Sequence, residues 1–175
     1  ACDAAELDCV WALLGAQPGQ TVAELGAGDG KLALGLAKRL GPSGSLLATE
    51  VDPEKIEAIR KAAAEAKQAN LRVVTGGDRL TGLPAGCCDA AYMRFVYHHF
   101  VAPEDIGRDL HAALKPGGML VVIDFPPSRL LSFFSRLPSS KRRGGHGVRP
   151  TGVATELTAA GFRVVLESSY PFGSL

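Results

Sequence analysis

Val22 to Gly30 reads VAELGAGDG, and the reading of this run decides the fold. Thr21–Leu25 is a short apolar segment of the length of a buried strand. Three alternating glycines follow it, and Lys31–Leu40 then carries apolar residues at helical spacing until Gly41-Pro42 stops it. The order is therefore strand, glycine turn, helix. Glycines let a backbone turn sharply and lie close to a ligand. The turn amides and the next helix N-terminus favour negative ligand groups.

The same alternation extends in both directions. Ala4–Leu14 reads as an amphipathic helix closed by Gly15 and the Pro18-Gly19 turn. Ser45–Glu50 reads as a second strand, followed by a helix capped by Asp52, with Pro53 at its first position and its end near Ala66. Leu71–Thr75 and Ala90–Phe95 read as strands three and four. Pro103 opens a helix whose Ile106, Leu110, Ala113 and Leu114 share a face, ended by Lys115-Pro116-Gly117-Gly118. Met119–Phe125 is expected as strand five, Thr151–Ala160 as the last helix and Phe162–Leu166 as strand six. Strands alternating with helices predict a doubly wound α/β fold: a mostly parallel sheet with helices on both faces. A final antiparallel strand is expected to be missing, because Tyr170–Leu175 reads as the turn into it.

At 175 residues the chain suits a single domain over 1–175. With 46% hydrophobic and 21% charged residues it has an ordinary globular composition, and its net charge of +1 offers no global attraction to nucleic acid or membrane. No apolar run reaches the ~18 residues of a spanning helix. Cys2 and Cys9 stand too far apart on a helix to bridge, and the adjacent Cys87 and Cys88 are poor candidates for a bridge or a chelate. They are expected as small loop or core residues in a reducing, cytoplasmic setting, with no metal site. The chain opens on Ala1 rather than Met, which is compatible with a leader removed earlier.

Ligands of such sheets bind beyond the carboxyl ends of the strands. Glu50 ends strand two about 20 residues past the glycines, where a carboxylate can accept both ribose hydroxyls. Gly77-Asp78 follows strand three, where a carboxylate can accept from an adenine amine. A dinucleotide site would want its third glycine one place later, where this chain has Lys31.

Taken together these residues resemble the class I S-adenosylmethionine (SAM)-dependent methyltransferases. VAELGAGDG (22–30) resembles that family's first motif, with Glu24 at its acidic position, and ATEVDPEKI (48–56) its second. VVTGGDRLTGLP (73–84) resembles the adenine segment, CCDAAYMRFVYHHF (87–100) the fourth motif and LKPGGMLVVIDF (114–125) the fifth. VYHHF, DFPP and GGHGV further resemble a group of small stand-alone methyltransferases. The resemblance implies SAM as cofactor. It implies that Glu24 orients the amino-acid end, that Gly26 and Gly28 lie against the cofactor, and that Glu50 holds the ribose. Asp78 would bind adenine with Arg79 packed beside it, and Arg94 would stand near the methionyl amine.

Candidates for acting on the acceptor are His98 and His99 after strand four, Asp124 at the end of strand five, and His146 among glycines. Histidine titrates near neutral pH and suits general-base work. Pro126–Pro150, about 25 residues, is too long for a plain connector and is expected to form a lid over the acceptor. Lys141-Arg142-Arg143 within it reads as a solvated turn. The stretch Tyr92-Met93-Arg94-Phe95 lacks the Asn/Asp-Pro-Pro-aromatic pattern of enzymes that methylate base nitrogens. With the near-neutral charge, this favours a small-molecule acceptor over nucleic acid. Two rival readings remain: a non-catalytic SAM-binding regulatory domain, and a nicotinamide-dependent (NAD) oxidoreductase on the same fold.

Overall fold

The computed structural model describes residues 4–124 and 148–165. In chain order these form α1 (Ala4–Leu14), β1 (Thr21–Leu25), α2 (Lys31–Leu40), β2 (Ser45–Glu50), α3 (Pro53–Glu65) and β3 (Leu71–Thr75). Then come β4 (Cys88–Arg94), a 3-10 turn at Tyr97–His99, α4 (Pro103–Ala113), β5 (Leu114–Ile123) and α5 (Pro150–Ala159). The five strands are all parallel, in the order β3-β2-β1-β4-β5. The chain winds outward one way from β1 through β2 and β3, then crosses back to β4. The crevice at the carboxyl ends of β1 and β4 is therefore the switch point.

Strand alternation sorts the core into two layers. Val22, Leu46, Ala48, Ala90 and Tyr92 face α1, α2 and α3, where they meet Val10, Leu14, Leu36, Leu40 and Ile59. Ala23, Leu25, Leu47, Ala91 and Met93 face the opposite way, toward Ile106 and Leu110 of α4 and Leu157 of α5. Leu36, Leu40, Ile59 and Leu110 are at most 1% exposed, and burial at that level stabilises by about 1.5–3 kcal/mol per side chain. Because burial alternates with period two, a one-residue slip of β1 would put Glu24 into the α4 layer.

Polar contacts fix the ends. Asp52 caps α3 by accepting from the Glu54 amide at 2.9 Å, as its place before Pro53 predicts. Asn70 donates to the carbonyls of Ala37 and Gly41, both at 2.8 Å, and so closes the C-terminus of α2. Asp89 accepts from the Thr21 amide and from Lys115 Nζ, which ties together the starts of β1, β4 and β5. Thr81 pins the β3–β4 connection to α4, donating to Asp109 from both its amide and its hydroxyl.

The expectations need four corrections. Strand four starts at Cys88 and stops at Arg94, because Phe95 takes a left-handed φ of 55° and turns the chain. Strand five spans Leu114–Ile123: Leu114 already pairs with Cys88, and an irregularity between Cys88 and Ala90 accommodates the Lys115–Gly118 stretch. Residues 162–165 are not strand, while Leu166 and the turn at 170–175 lie outside the described residues. Finally, the sulfurs of Cys87 and Cys88 are joined as a disulfide. Cys87 precedes β4 and so escapes the strand alternation that would point the two side chains apart. Cys88 is nonetheless fully buried in the α4 layer, as a core residue should be.

Candidate functional site

A cavity of about 520 Å³ opens at the switch point, within the range of small-ligand sites. The glycine loop forms its floor, with walls from the ends of β1, β2 and β4, the Gly76–Thr81 segment and the Phe100–Val101 stretch. It brings Glu24, Gly26, Gly28, Glu50, Asp78, Arg94 and His99 together.

The loop's shape explains its glycines. Gly26 (φ 69°) and Gly28 (φ 57°) both adopt left-handed backbone. A Cβ on Gly26 would collide with the Val96 side chain, so this position is closed by the protein itself. A Cβ on Gly28 would meet nothing within 4 Å, so it would point into the open cavity. The first glycine serves packing and the second keeps the ligand side of the loop bare.

Glu50, 6% exposed, holds that loop from the neighbouring strand. Its Oε2 accepts from the Gly28 amide at 2.8 Å, and its Oε1 from the amides of Val51 (2.9 Å) and Asp52 (3.3 Å). A carboxylate has about four lone-pair sites, so one remains for a ligand hydroxyl. The Ala27 amide also donates to Thr49 O at 3.0 Å, so loop and β2 are joined twice.

Glu24 is the site's most unusual group. It is 4% exposed, stands in register beside Tyr92 of β4, and its buried Oε2 accepts no hydrogen bond from the described residues. Burial pushes its carboxyl up from 4.5 to about 8, although the Tyr92 hydroxyl and the Arg94 guanidinium beside it pull the other way. A carboxylate buried with an oxygen left over is costly unless a cationic or donor group arrives from outside. Nearby Asp29 behaves oppositely: its bond to Lys31 holds it below the usual carboxylate range.

Arg94 reaches from the end of β4 back to α1, where its Nη1 lies 2.8 Å from Glu6 Oε1, and its guanidinium sits 5.0 Å above the Phe95 ring. Asp78 lies in the cavity wall and is exposed. Arg79 does not line the cavity. It pairs with Asp105 at 2.5 Å, because its exposed side chain finds the acidic first turn of α4 instead.

The acceptor-side candidates separate. His99 lines the cavity. His98 does not; its Nδ1 lies 2.8 Å from Asp124 Oδ1, and its amide donates to Oδ2 at 3.1 Å. Asp124 is 1% exposed in its side chain. It therefore braces the 3-10 turn and orients His98, rather than standing in the cavity wall as a base. His146 and most of the expected lid, 126–147, lie outside the described residues.

Sequence reasoning passed over Tyr92, Phe95 and the apolar rim Val51, Leu80 and Val101, which are 59%, 62% and 80% exposed. Tyr92 was detectable as the residue level with Glu24 in adjacent parallel strands. The rim had no signal, since lone apolar residues in loops carry no period. Among the described residues, no cluster of three or more His, Cys, Asp or Glu could hold a metal ion, and no helix is long and apolar enough to cross a membrane.

Comparison with known proteins agrees with this geometry. The family model described as "Methyltransferase domain" matches residues 23–122, from within β1 nearly to the end of β5. The demethylmenaquinone methyltransferase of Thermus thermophilus is 32% identical over 106 residues, covering 61% of this chain and 47% of that protein. The protein-L-isoaspartate O-methyltransferase of Aeropyrum pernix is 32% identical over 132 residues, covering 75% and 49%. The chain thus spans about half the length of the curated relatives it matches. A SAM-dependent methyltransferase of Aquifex aeolicus superposes with a TM-score of 0.77 at 23% identity, over 92% of this chain and 81% of its own, and so shares the fold. The cavity at the switch point, its glycine loop and the family match lead to one conclusion: the chain belongs to the methyltransferase-domain family.

Proposed function

We propose that this chain is a SAM-dependent methyltransferase acting on a small-molecule acceptor. The observation that carries the reading is Glu24, a buried carboxylate with an unsatisfied oxygen in the wall of a glycine-floored cavity. The ammonium of an amino-acid terminus is the complement that such an oxygen lacks. The bare ligand side of Gly28 and the remaining acceptor capacity of Glu50 also fit the rest of SAM.

In this reading Glu24 would hold the ammonium, Gly26 and Gly28 would let the loop lie against the nucleoside, Glu50 would accept from the ribose and Asp78 from the adenine amine. When bound, SAM supplies an electrophilic methyl on a sulfonium, so the protein's task is to place a nucleophile in line and keep water out. The exposed apolar rim at Leu80 and Val101 would cover ligand surface and exclude water. His99 is the side chain placed to take a proton from an acceptor that must lose one. His98, oriented by Asp124, would set the turn that presents His99.

A small-molecule acceptor is supported by the near-neutral charge, by the apolar rim, and by relatives such as the demethylmenaquinone methyltransferase. The test is to incubate the full chain with methyl-labelled SAM and fractionated metabolite extracts, and to follow label transfer and S-adenosylhomocysteine release. Label entering a small organic product supports the reading. Label found only in protein or nucleic acid would move the acceptor to another class. Tight S-adenosylhomocysteine binding without transfer to any fraction would favour a regulatory SAM-binding domain.

A further inference from the structure

Arg94 is a cation that a glycine loop and two ribose- and adenine-binding acids leave unexplained. It ends β4 on the same sheet face as Tyr92, so the strand register brings it to the mouth of the cavity beside Glu24. It is near enough to draw down the carboxyls of both Glu24 and Asp29. Its Nη1 is tethered to Glu6, and its plane lies over the Phe95 ring, on the residue whose left-handed backbone turns the chain there. A guanidinium has five N–H donors in a rigid fork, so the Glu6 contact leaves donors unused. One wall of the cavity thus presents a carboxylate and a guanidinium side by side, with the guanidinium fixed from behind. That pairing is the complement of an α-amino acid zwitterion: ammonium to carboxylate, carboxylate to the fork.

We propose that the Arg94 side chain receives the α-carboxylate of the bound ligand, next to the ammonium held by Glu24, and so makes the cavity selective for nucleosides that carry a complete amino-acid terminus. The proposal rests on the SAM reading of the cavity and deepens it. Glu6 acts here as a positioning residue, holding the fork at the cavity mouth.

The test crosses one deletion in the protein with one in the ligand. The full chain and its Arg94→Gln and Arg94→Lys variants are titrated calorimetrically with S-adenosylhomocysteine and with its decarboxylated analogue, S-adenosyl-3-thiopropylamine. Wild type should bind the analogue about tenfold to a hundredfold more weakly. Arg94→Gln should lose affinity for S-adenosylhomocysteine by a similar factor while changing affinity for the analogue by less than about threefold. Arg94→Lys, which keeps the charge without the fork, should recover part of the loss. Equal binding of both ligands by wild type overturns the proposal even if the variants fail to fold. So does an Arg94→Gln variant that weakens both ligands alike, which would make Arg94 a structural brace. If wild type binds neither ligand, the SAM reading itself falls, and the proposal falls with it.

Discussion

The two halves of the cavity are built differently. The half beyond β1 and β2 is made of backbone and short-range contacts: the glycine loop, Glu50 holding the Gly28 amide at 2.8 Å, and Asp52 capping the helix that follows. The half beyond β4 and β5 depends on side chains that meet across the sheet, such as His98 with Asp124 and Arg94 with Glu6. The first half is fixed by residues near one another in sequence or in adjacent strands. The second is fixed by tertiary packing. A cofactor common to many enzymes can be held by the first kind of structure, while an acceptor particular to one enzyme needs the variability of the second.

The sharpest way to break this division is Gly28→Val. It would place a branched side chain in left-handed backbone and in the open cavity. S-adenosylhomocysteine affinity should fall by more than about a hundredfold. The cooperative melt should survive, since no protein atom is displaced. Normal binding by a folded variant would make the loop a mere turn.

His99→Ala acts on the other half. Turnover, once an acceptor is in hand, should drop roughly a hundredfold if His99 is the base, with cofactor affinity and thermal stability nearly unchanged. His98→Ala should do the reverse at the level of folding. It removes one partner of the buried Asp124 and should lower stability by about 1–3 kcal/mol. If His98→Ala leaves the melt unmoved and abolishes turnover, the roles of the two histidines are exchanged.

Glu50→Ala should weaken S-adenosylhomocysteine at least about tenfold. It should also lower the melting temperature, because the Gly28, Val51 and Asp52 amides lose their acceptor. A variant that loses affinity with an unchanged melt would mean that the tether to Gly28 contributes little.

A smaller effect is expected from pH. With its carboxyl pushed up to about 8, Glu24 holds its proton in the folded, ligand-free protein at neutral pH, whereas an unfolded chain would release it near 4.5. The folded state therefore binds more protons between these values. Its stability should decline as pH rises from about 4.5 to about 8, through this group. A ligand ammonium favours the ionised form. Binding at pH 6 should thus release close to one proton, and affinity should rise toward pH 8 by at most about tenfold per unit. Calorimetry in buffers of different ionisation enthalpy measures that proton; its absence would mean that Glu24 does not meet the ammonium.

How much was legible follows the same division. Glu24, Gly26, Gly28 and Glu50 could be found because strand, turn and helix follow one another without a break, so position along the chain gives position in space. The core faces were legible for the same reason: period two along β1 and β4, and Ile106 with Leu110 on α4. Arg79 was misjudged because an exposed arginine takes whichever carboxylate is near, and Asp105 was nearer than the cavity. Asp124 was left among several roles because a carboxylate after a strand has no local signature. Only packing brought it onto His98. Strand five was misplaced because Lys115-Pro116-Gly117-Gly118 looks like a stop, whereas the sheet absorbs it as an irregularity.

The most direct test of the central claim is a calorimetric titration of the full chain with S-adenosylhomocysteine at pH 7.5, repeated in the presence of excess NAD. Single-site binding that SAM competes away and NAD leaves unaffected is the predicted result. Binding of NAD, with none of S-adenosylhomocysteine, would contradict the account and return the glycine-loop cavity to a dinucleotide.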